Sequence, residues 1–457
     1  MDEMISVGLD DIDSPSGGCT THFATLLVEQ LEEAGVTWCD YPNLIRLNPN
    51  IPFRTRGNGA VCLRFRSQAV NEQELTEMVA SMLDVYVKTD YPNTNPGVVV
   101  VRGGVPEDVV RFAETAVWRA VPIPLAIRII KKHSAQSLSR GNGRGLVGAV
   151  AAVGNLLLED HTYEYIAYRT ADQHEAERHI DHESVRRMDR VFSQGTFSNV
   201  DEETGTLMIA PHGPDPVLFG IRGESPDLVV EAARMVRLNV DVDRWAVFRT
   251  NQGTGAHLRH NVTVDCLRPY MSASVTGRVA SKPRVIEGGH VLFSVTDASG
   301  SIDCAAYEPS GSFRDVVLQL TENDTVTVQG GVRPASRTHG MTVNIEGLEV
   351  ISLSNNIAVR NPLCPDCGRR MKSAGRAKGY KCEHCGHRSR EMSKQEVELA
   401  RTLTPGLYLP PTRAQRHLTR PERRLYSTNA GRRQTLISVW HGRRTDTERA
   451  LPPDRGH

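Results

Sequence analysis

The chain has 457 residues, equal numbers of acidic and basic side chains, and 39% hydrophobic residues. This length is too great for one hydrophobic core and predicts three or four domains. No apolar run reaches the ~18 residues of a membrane span, and Met1–Met4 lacks the basic and apolar order of a signal peptide. The sequence therefore predicts a cytoplasmic protein that does not enter membranes.

Charge is unevenly distributed along the chain. From Arg360 onward there are 22 Lys and Arg against 9 Asp and Glu, a balance of +13 that leaves −13 on the first 359 residues. A basic C-terminal part on an acidic body indicates a nucleic-acid partner. A solvated basic tail is the alternative explanation for part of this charge, above all after Pro421.

The first 35 residues predict a strand, an acidic turn and a helix. Apolar side chains alternate over residues 5–9 as they do in a buried strand. The carboxylates that follow this strand are Asp10, Asp11 and Asp13. A Gly/Ser/Pro turn then leads to a helix that we expect to begin at Thr20 or Thr21 and to end at Gly35.

This arrangement suits a nucleotide and its metal ion. Backbone N–H groups at the helix start, together with Gly17 and Gly18, can approach phosphates closely. Clustered carboxylates can hold Mg²⁺ through their oxygens. The segment lacks the Gly-Lys-Ser/Thr ending of a P-loop. An acidic turn with a threonine as helix cap is the alternative interpretation.

Residues 1–139 predict an α/β domain, because strand and helix patterns alternate along them. The further strands are expected at 44–47, 61–65 and 98–101, and the further helices at 72–87 and 106–121. Between the second and third strands, Arg54 and Arg56 could grip phosphate through their guanidinium forks. A solvated hairpin is the other interpretation of this loop.

Residues 140–268 predict a ferredoxin-like domain. A basic glycine-rich loop at 141–145 precedes a buried helix at 146–158. The pattern then runs strand, helix, strand, strand, helix, strand, which is the ferredoxin-like order. These strands are expected at 162–169, 206–210, 217–222 and 245–249, and the helices at 183–192 and from Pro226.

Residues 269–357 predict an OB-fold, a five-stranded β-barrel. The five strands are expected at 273–279, 290–296, 301–307, 324–332 and 341–351. A helix pattern at 312–320 falls between the third and fourth strands, as it does in OB-folds, which commonly bind oligonucleotides on one face. Small barrels also act as spacers, and that alternative stays open.

Residues 358–421 predict a zinc ribbon followed by a basic arm. Its two CxxC pairs are Cys364 with Cys367 and Cys382 with Cys385. Fourteen residues separate the pairs, and four thiolates in tetrahedral geometry make a structural zinc site. A redox-active CxxC is the rival. The five other cysteines are scattered, as in a reducing compartment. Residues 422–457 are Arg-rich with few core-forming residues, and we expect them to be disordered.

Several motifs resemble those of one enzyme family. They are Gly8–Ser14 with Gly18–Thr21, Arg46–Phe53, Thr55–Ala60, Gly143–Gly148, Val217–Glu224 and Thr250–Gln252. Together they resemble the archaeal tRNA(Ile) agmatinylcytidine synthetases, the TiaS family, in one order from about residue 4 to about residue 421. The resemblance implies a multidomain α/β and α+β protein whose N-terminal domain is kinase-like.

The resemblance also implies an activity. Such a ligase uses ATP to phosphorylate the oxygen on carbon 2 of the wobble cytidine in the isoleucine tRNA with anticodon CAU. The amine of agmatine then displaces phosphate and gives agmatidine, which lets the tRNA decode AUA. The family's overall balance takes ATP to AMP and two phosphates. Phosphorylation makes sense chemically, because the unmodified carbonyl oxygen is a poor leaving group, and phosphoryl transfer needs metal and fixed donors.

By the same resemblance, Asp10, Asp11 and Asp13 hold Mg²⁺ and ATP, and Thr20 matches the family's autophosphorylated threonine. These four residues are the expected catalytic set. The residues expected to bind ATP are Asp10, Asp11, Gly17, Gly18, Cys19, Thr20, Thr21 and Arg144. No residue of the sequence is selected as the carboxylate partner of agmatine, and we expect agmatine in the ferredoxin-like domain beside the first domain.

Two other classes of protein remain as alternatives. One is a protein that holds single-stranded nucleic acid with its OB-fold and zinc ribbon and has no catalytic activity. The other is a kinase of a small metabolite, which leaves the basic C-terminal part without a role. ATP consumption that depends on both RNA and an added amine would separate the three. The sequence leaves the oligomeric state and the identity elements of the tRNA open.

Overall fold

A computed structural model describes residues 3–14, 17–54, 57–87, 91, 93–174, 176–337, 339–431 and 435–443. Over these residues no helix combines the length and apolar character needed to cross a bilayer. The predicted Arg56 lies outside the described residues, and so do residues 15–16 of the acidic turn.

The N-terminal domain is an α/β layer, as predicted. Its elements are β1 (Met4–Asp10), α1 (Thr20–Glu33), β2 (Thr37–Trp38), β3 (Asn43–Arg46), β4 (Gly59–Arg66), α2 (Glu72–Tyr86), β5 (Gly97–Arg102), α3 (Glu107–Trp118), α4 (Ile123–Lys132), β6 (Gln136–Ser139) and α5 (Gly145–Gly154). The antiparallel order is β6-β5-β1-β4-β3, and β2 also pairs with β4. Helices α1 and α2 share one core with this sheet, and α3, α4 and α5 share another. The sequence pattern missed α4 and β6.

Helix α5 packs unusually close to the sheet. A Cβ at Gly8 in β1 would overlap the Ala149 carbonyl, and a Cβ at Gly97 in β5 would overlap the start of α5. The buried Arg64 donates hydrogen bonds to the carbonyls of Val153 (2.9 Å) and Asn155 (3.3 Å), which satisfies the end of the helix. Helix α5 therefore packs as part of the N-terminal layer, although the sequence assigned it to the second domain.

The second domain is ferredoxin-like, as predicted. Its elements are β7 (Thr162–Tyr168), α6 (His182–Val191), β8 (Thr196–Phe197), β9 (Val217–Gly223), α7 (Pro226–Arg234) and β10 (Arg244–Thr250). The antiparallel order is β10-β7-β9-β8. The strand predicted at 206–210 is wrong. There Leu207 makes only one isolated bridge, to Val200, and Pro211 has no N–H with which to extend a ladder.

The two domains share one sheet of eleven strands. The junction is a short parallel pairing in which Asn43 and Leu44 of β3 lie beside Arg249 and Thr250 of β10. The side-chain amide of Asn251 reinforces it, because it bonds both the backbone N–H and the carbonyl of Arg46 at 2.8 and 2.9 Å. This junction fixes the acidic turn of the first domain beside the strands of the second.

The third domain is the predicted OB-fold. Its elements are β11 (Ser272–Val285), β12 (Val291–Thr296), β13 (Ser301–Ala306), α8 (Phe313–Val317), β14 (Thr325–Arg333) and β15 (Thr342–Ser352). The barrel closes through a parallel pairing of β13 with β15. Apolar side chains such as Phe293 and Val328 fill its interior.

The ribbon follows the barrel. Its strands are β16 (Ile357–Arg360), β17 (Lys372–Ser373), β18 (Tyr380–Lys381), β19 (Arg388–Ser389) and β20 (Gln395–Glu398). Strand β21 (Gly406–Tyr408) then pairs with β15 and returns the chain to the OB-fold.

The prediction of a disordered tail from residue 422 is wrong for the part that the structure describes. The strand β22 (His441–Arg443) pairs with β10, and Trp440 is buried beside Trp38 and Tyr41. Upstream, Arg424 is only 1% exposed. The sequence pattern did not predict this ordered segment, because the partners of its side chains lie hundreds of residues away in the chain. Residues 444–457 lie outside the described residues.

Candidate active site

Asp10 is the last residue of β1 and its carboxylate lies against α5. A Cβ at Gly148 would overlap that carboxylate, so the glycine makes room for it. Burial, followed by the charge of Asp11, raises the pKa of Asp10 well above its usual range. A divalent cation is the kind of ligand that relieves such crowding of carboxylates.

Asp11 has a left-handed backbone conformation, with φ of 56°. Its carboxylate accepts two hydrogen bonds from the Arg144 guanidinium, at 2.7 and 3.3 Å, and one from the Asn95 N–H at 3.1 Å. The sequence singled out both Asp11 and Arg144, but it did not pair them. Asn95 was missed, because an Asn-Pro-Gly turn is an ordinary way to enter a strand.

Asp13 and Thr20 form a close polar pair. The Thr20 N–H donates to Asp13 Oδ1 at 3.0 Å, and the Thr20 hydroxyl donates to Asp13 Oδ2 at 3.3 Å. The Thr20 oxygen also accepts from the Ile12 N–H at 3.3 Å. Cys19 occupies the N-cap position of the helix, but its side chain makes no capping hydrogen bond. The alternative in which Thr20 acts as the cap is therefore wrong.

Two cavities lie at this pair: Asp13 lines both, and Thr20 lines the second. The first cavity, about 390 Å³, lies between the N-terminal domain and Tyr270 at the start of the OB-fold, and Asp10, Asp11 and Arg144 line it. The second cavity, about 300 Å³, lies between the first two domains. Asp13 and Gly59 line both cavities, so the Asp13 carboxylate stands in the wall between them.

The residues expected to bind ATP are divided between the two cavities. Cys19, Thr20 and Thr21 line the second cavity rather than the first. Gly17 and Gly18 both have positive φ, but neither is among the described residues that line the two cavities.

The helix start is also less open than the sequence suggested. The Cys19 N–H donates to the Tyr86 hydroxyl at 3.0 Å, and the Thr20 N–H is engaged by Asp13. These two N–H groups therefore have protein partners. No pattern in the sequence pointed to Tyr86, which lies at the end of α2.

The second cavity contains carboxylates that the sequence did not single out. Glu164 of β7 is buried and accepts from the Arg222 guanidinium at 3.1 Å and from the Gln252 amide. Asp215 lines the same cavity and accepts from the Val217 N–H at 3.0 Å. A glutamate among the aromatic residues of the predicted strand 162–169 was the available signal for Glu164, because an isolated buried carboxylate is costly.

The four cysteines of the ribbon come together as predicted. The sulfurs of Cys364, Cys367, Cys382 and Cys385 all lie within 4.8 Å of one another. The turns after the two knuckles contain Gly368 and Gly386, both with positive φ. Four convergent thiolates on two tight turns form a donor set suited to tetrahedral zinc.

Four family models match successive parts of the chain. They are the TiaS TCKD domain over residues 6–141, the TiaS FLD domain over 143–257, the OB-fold nucleic acid binding domain over 273–351 and the TiaS C-terminal zinc ribbon domain over 361–403.

Whole-length relatives agree with these models. An isoleucine-tRNA 2-agmatinylcytidine synthetase, TiaS, from Staphylothermus marinus is 43% identical over 92% of this chain and 94% of its own length. The protein of the same name from Methanosarcina acetivorans is 40% identical over 91% and 96%.

Solved structures are similar over nearly the whole chain. A crystal structure of TiaS in complex with an isoleucine tRNA and ATP is 37% identical with a TM-score of 0.82, over 94% of this chain and 99% of that one. A complex of TiaS with an isoleucine tRNA, AMPCPP and agmatine is 35% identical with a TM-score of 0.80, over the same shares.

Proposed function

The chain belongs to the TiaS family, and we propose that it uses ATP to join agmatine to carbon 2 of the wobble cytidine in the isoleucine tRNA with anticodon CAU. The product is agmatidine, formed through a phosphorylated cytidine. The observation that carries this proposal is the Asp13–Thr20 pair at the boundary of two cavities. Three aspartates line the first cavity, which is nucleotide-sized, and the ferredoxin-like domain flanks the second, which Thr20 lines.

The first cavity is proposed to hold ATP. Its volume of about 390 Å³ suits a nucleotide, and apolar side chains such as Leu47 and Val147 line it together with the aspartates. Asp10, Asp11 and Asp13 offer the oxygen ligands that Mg²⁺ prefers, and bound Mg²⁺ would neutralise charge on the phosphates. The Arg144 guanidinium, held by Asp11, would supply positive charge at the same end.

Thr20 is proposed to accept the terminal phosphoryl group of ATP. The Asp13 carboxylate, 3.3 Å from the hydroxyl, would take its proton as the oxygen bonds to phosphorus. The bond from that phosphorus to the bridging oxygen breaks, which leaves ADP. Transfer of the terminal phosphoryl group of this ADP to the oxygen on carbon 2 of the cytosine would then release AMP, and hydrolysis of the phosphothreonine would release the first phosphate. The Ile12 N–H, which donates to the threonine oxygen, fixes its orientation.

The second cavity is proposed to hold agmatine. Agmatine carries a guanidinium group at one end of a short apolar chain and an amine at the other, and carboxylates recognise guanidinium groups through paired hydrogen bonds. Glu164 and Asp215 are carboxylates that line this cavity at the ferredoxin-like side, while Asp13 and Thr20 lie at the other side. This arrangement would direct the amine toward the base that is phosphorylated.

The alternatives explain less of the molecule. A nucleic-acid-binding protein without catalytic activity has no use for a hydroxyl–carboxylate pair between two cavities. A small-metabolite kinase has no use for the OB-fold and the ribbon, which match their own family models. We further propose that the four cysteines hold one structural zinc ion and that the protein acts in the cytoplasm.

The reaction can be tested with the full chain, ATP, Mg²⁺, agmatine and a transcript of the isoleucine tRNA with anticodon CAU. Nucleoside mass spectrometry should detect agmatidine in that transcript and not in one with anticodon GAU. Agmatidine should require agmatine, and AMP should accumulate with it. ATP turnover that ignores both RNA and agmatine would contradict the proposal.

A further inference from the structure

A third cavity lies where the N-terminal domain meets the basic arm, residues 413–420. We call it the basic cavity, because Arg46, Arg54, Arg416 and His417 line it. Its volume is about 150 Å³, which suits one phosphate group better than a nucleotide. Arg46, Gly57 and His417 also line the second cavity, so the two are neighbours.

Arg46 is a partly buried cation whose donors are largely unused. Its side chain is 16% exposed, and the nearest carboxylate oxygen, on Glu164, is 4.0 Å away, beyond hydrogen-bond range. Among the described residues the guanidinium donates no hydrogen bond, and its Nε is buried without a partner. Buried charged donors normally have acceptors, so this group is arranged for a ligand that supplies them.

The surrounding groups add positive charge. Arg54 is exposed, lines both the basic cavity and the first cavity, and has no carboxylate partner among the described residues. Glu164 is engaged by Arg222 and Gln252. Glu346 bonds His257 at 3.0 Å and lies 3.8 Å from Arg416 Nε, so it offsets part of the Arg416 charge. The cavity therefore carries a net positive charge.

His417 contributes a neutral donor. The Arg222 guanidinium donates to His417 Nδ1 at 3.2 Å, and because a guanidinium cannot accept, the imidazole proton lies on Nε2. The charge of Arg46 holds the pKa of His417 well below its usual range. Gly57 leaves room for this ring, since a Cβ there would lie 3.1 Å from it.

We infer that the basic cavity binds a phosphodiester group of the RNA, next to the nucleotide that reacts. This inference rests on the proposed function. The cavity adjoins the second cavity, where the reacting base would meet Thr20, and the basic arm closes one side of it. A phosphate there would accept from Arg46 and Arg54 and would position the neighbouring base for phosphorylation.

ATP is a second source of phosphate, and the positions of the cavities favour RNA. The aspartates and Arg144 that suit a metal-bound triphosphate line the first cavity, not the basic cavity. The Arg416 and His417 side chains come from the arm, which belongs to the basic C-terminal part. Phosphate contacts of this kind set the register of a protein on nucleic acid.

The test compares Arg54→Gln and Arg46→Gln with the matched control Arg111→Gln, which removes an exposed charge from α3. Binding of the full chain to the tRNA transcript is measured over a series of salt concentrations. Each cavity variant should weaken binding about tenfold, as expected for a lost charge-assisted hydrogen bond. The slope of log Kd against log salt should fall by about 0.7 for each lost contact to a single strand.

A second measurement locates the phosphate. A transcript with one neutral methylphosphonate linkage beside the wobble cytidine should bind the unaltered protein more weakly, and Arg54→Gln should weaken its binding no further. Arg54 is exposed and has no carboxylate partner among the described residues, so this variant should keep the melting temperature of the unaltered chain even if Arg46→Gln does not.

Three results would overturn the inference. One is unchanged tRNA affinity in both cavity variants. Another is weaker ATP binding with unchanged tRNA affinity, which would assign the cavity to the triphosphate. The last is a change only in the inhibition of agmatidine formation by inorganic phosphate, which would assign the basic cavity to the phosphate that the reaction releases. If the unaltered chain binds tRNA but forms no agmatidine, the proposed function fails while this binding test still stands.

Discussion

The Thr20 hydroxyl lies 3.3 Å from Asp13 Oδ2, and the backbone N–H of the same threonine bonds Asp13 Oδ1. One carboxylate thus holds both the threonine hydroxyl and the first helical N–H. The hydroxyl is not a helix cap. Its removal should therefore affect chemistry more than helix stability.

Thr20→Val tests this directly, because it keeps the shape of the side chain and removes the hydroxyl. We expect a loss of about 1 kcal/mol in the free energy of unfolding from the broken hydrogen bonds, and no transfer of label from γ-labelled ATP to the protein. Agmatidine formation should fall by at least a hundredfold. Thr20→Ser is the control and should keep the label. A valine variant that forms agmatidine at the original rate would show that Thr20 only supports the turn.

Gly148→Ala should disrupt the first cavity, which Gly148 and Asp10 both line. The added Cβ would overlap the Asp10 carboxylate, so the aspartate must move or α5 must shift. ATP affinity, measured by calorimetry in the presence of Mg²⁺, should fall at least tenfold. The matched control is Gly104→Ala, where no atom lies within 4 Å of the new Cβ. Equal ATP affinity in both variants would contradict the proposed role of Asp10 in ATP binding.

Zinc should be needed for the ribbon and not for the transfer chemistry. Cys367→Ser removes one of four thiolates that converge within 4.8 Å, and structural zinc supplies much of the folding energy of such small modules. We expect atomic absorption to show one zinc per unaltered chain and none in the variant. Binding of tRNA should weaken while ATP affinity stays unchanged. Iron in place of zinc, or no metal in the unaltered chain, would contradict the assignment.

The sequence predicted the local parts of this molecule well and the long-range parts poorly. The cysteine site and the strand–turn–helix with its aspartates depend on residues close together in the chain, so their spacing was informative. The basic cavity joins Arg46 to His417, which lies 371 residues further along the sequence. The proximity of these two residues depends on the parallel pairing of β3 with β10. The hydrophobic periodicity of the sequence does not indicate such a pairing. Glu164 likewise becomes a site residue only once both domains share a sheet.

Stability should fall in mild acid because of two buried histidines. Burial and the charge of Arg249 lower the pKa of His161 to about 4, and burial lowers that of His22 to about 3. Each imidazole binds a proton in the unfolded chain below pH 6.5 but not in the folded one. The free energy of unfolding is therefore highest, as far as these two groups are concerned, above pH 6.5. It decreases as the pH falls from 6.5 toward 4. Each such proton changes stability by about 1.4 kcal/mol per pH unit.

Urea unfolding of the full chain at several pH values measures this dependence. His161→Gln should unfold with a shallower dependence on pH between 6.5 and 4 than the unaltered chain. Proton NMR of the His161 ring gives a direct check. A ring that titrates near pH 6.5 in the folded protein would contradict the expected shift.

Removing the C-terminal segment, residues 422–457, should destabilise the protein, although the sequence predicted that this segment is disordered. The buried Arg424 pairs with Asp160 at 3.0 Å and with Glu224 at 2.5 Å. Further along, Arg443 pairs with Glu29 of α1, and Trp440 packs beside Trp38. The segment therefore ties the N-terminal domain to the ferredoxin-like domain at the shared sheet.

Arg424→Met tests the tie without truncation. The substitution removes the cation that Asp160 and Glu224 share, and Asp160 stays buried. Removing one partner of a buried ion pair costs about 3–5 kcal/mol. The midpoint of urea unfolding should fall accordingly, and Arg443→Met, at a pair that is more exposed, should cost less than about 1 kcal/mol. Truncation after Pro421 should lower the midpoint at least as far as Arg424→Met does. Because the tied sheet also carries the second cavity, the KM for agmatine should rise in both. A truncated chain with the original unfolding midpoint would show that the segment only lies on the surface.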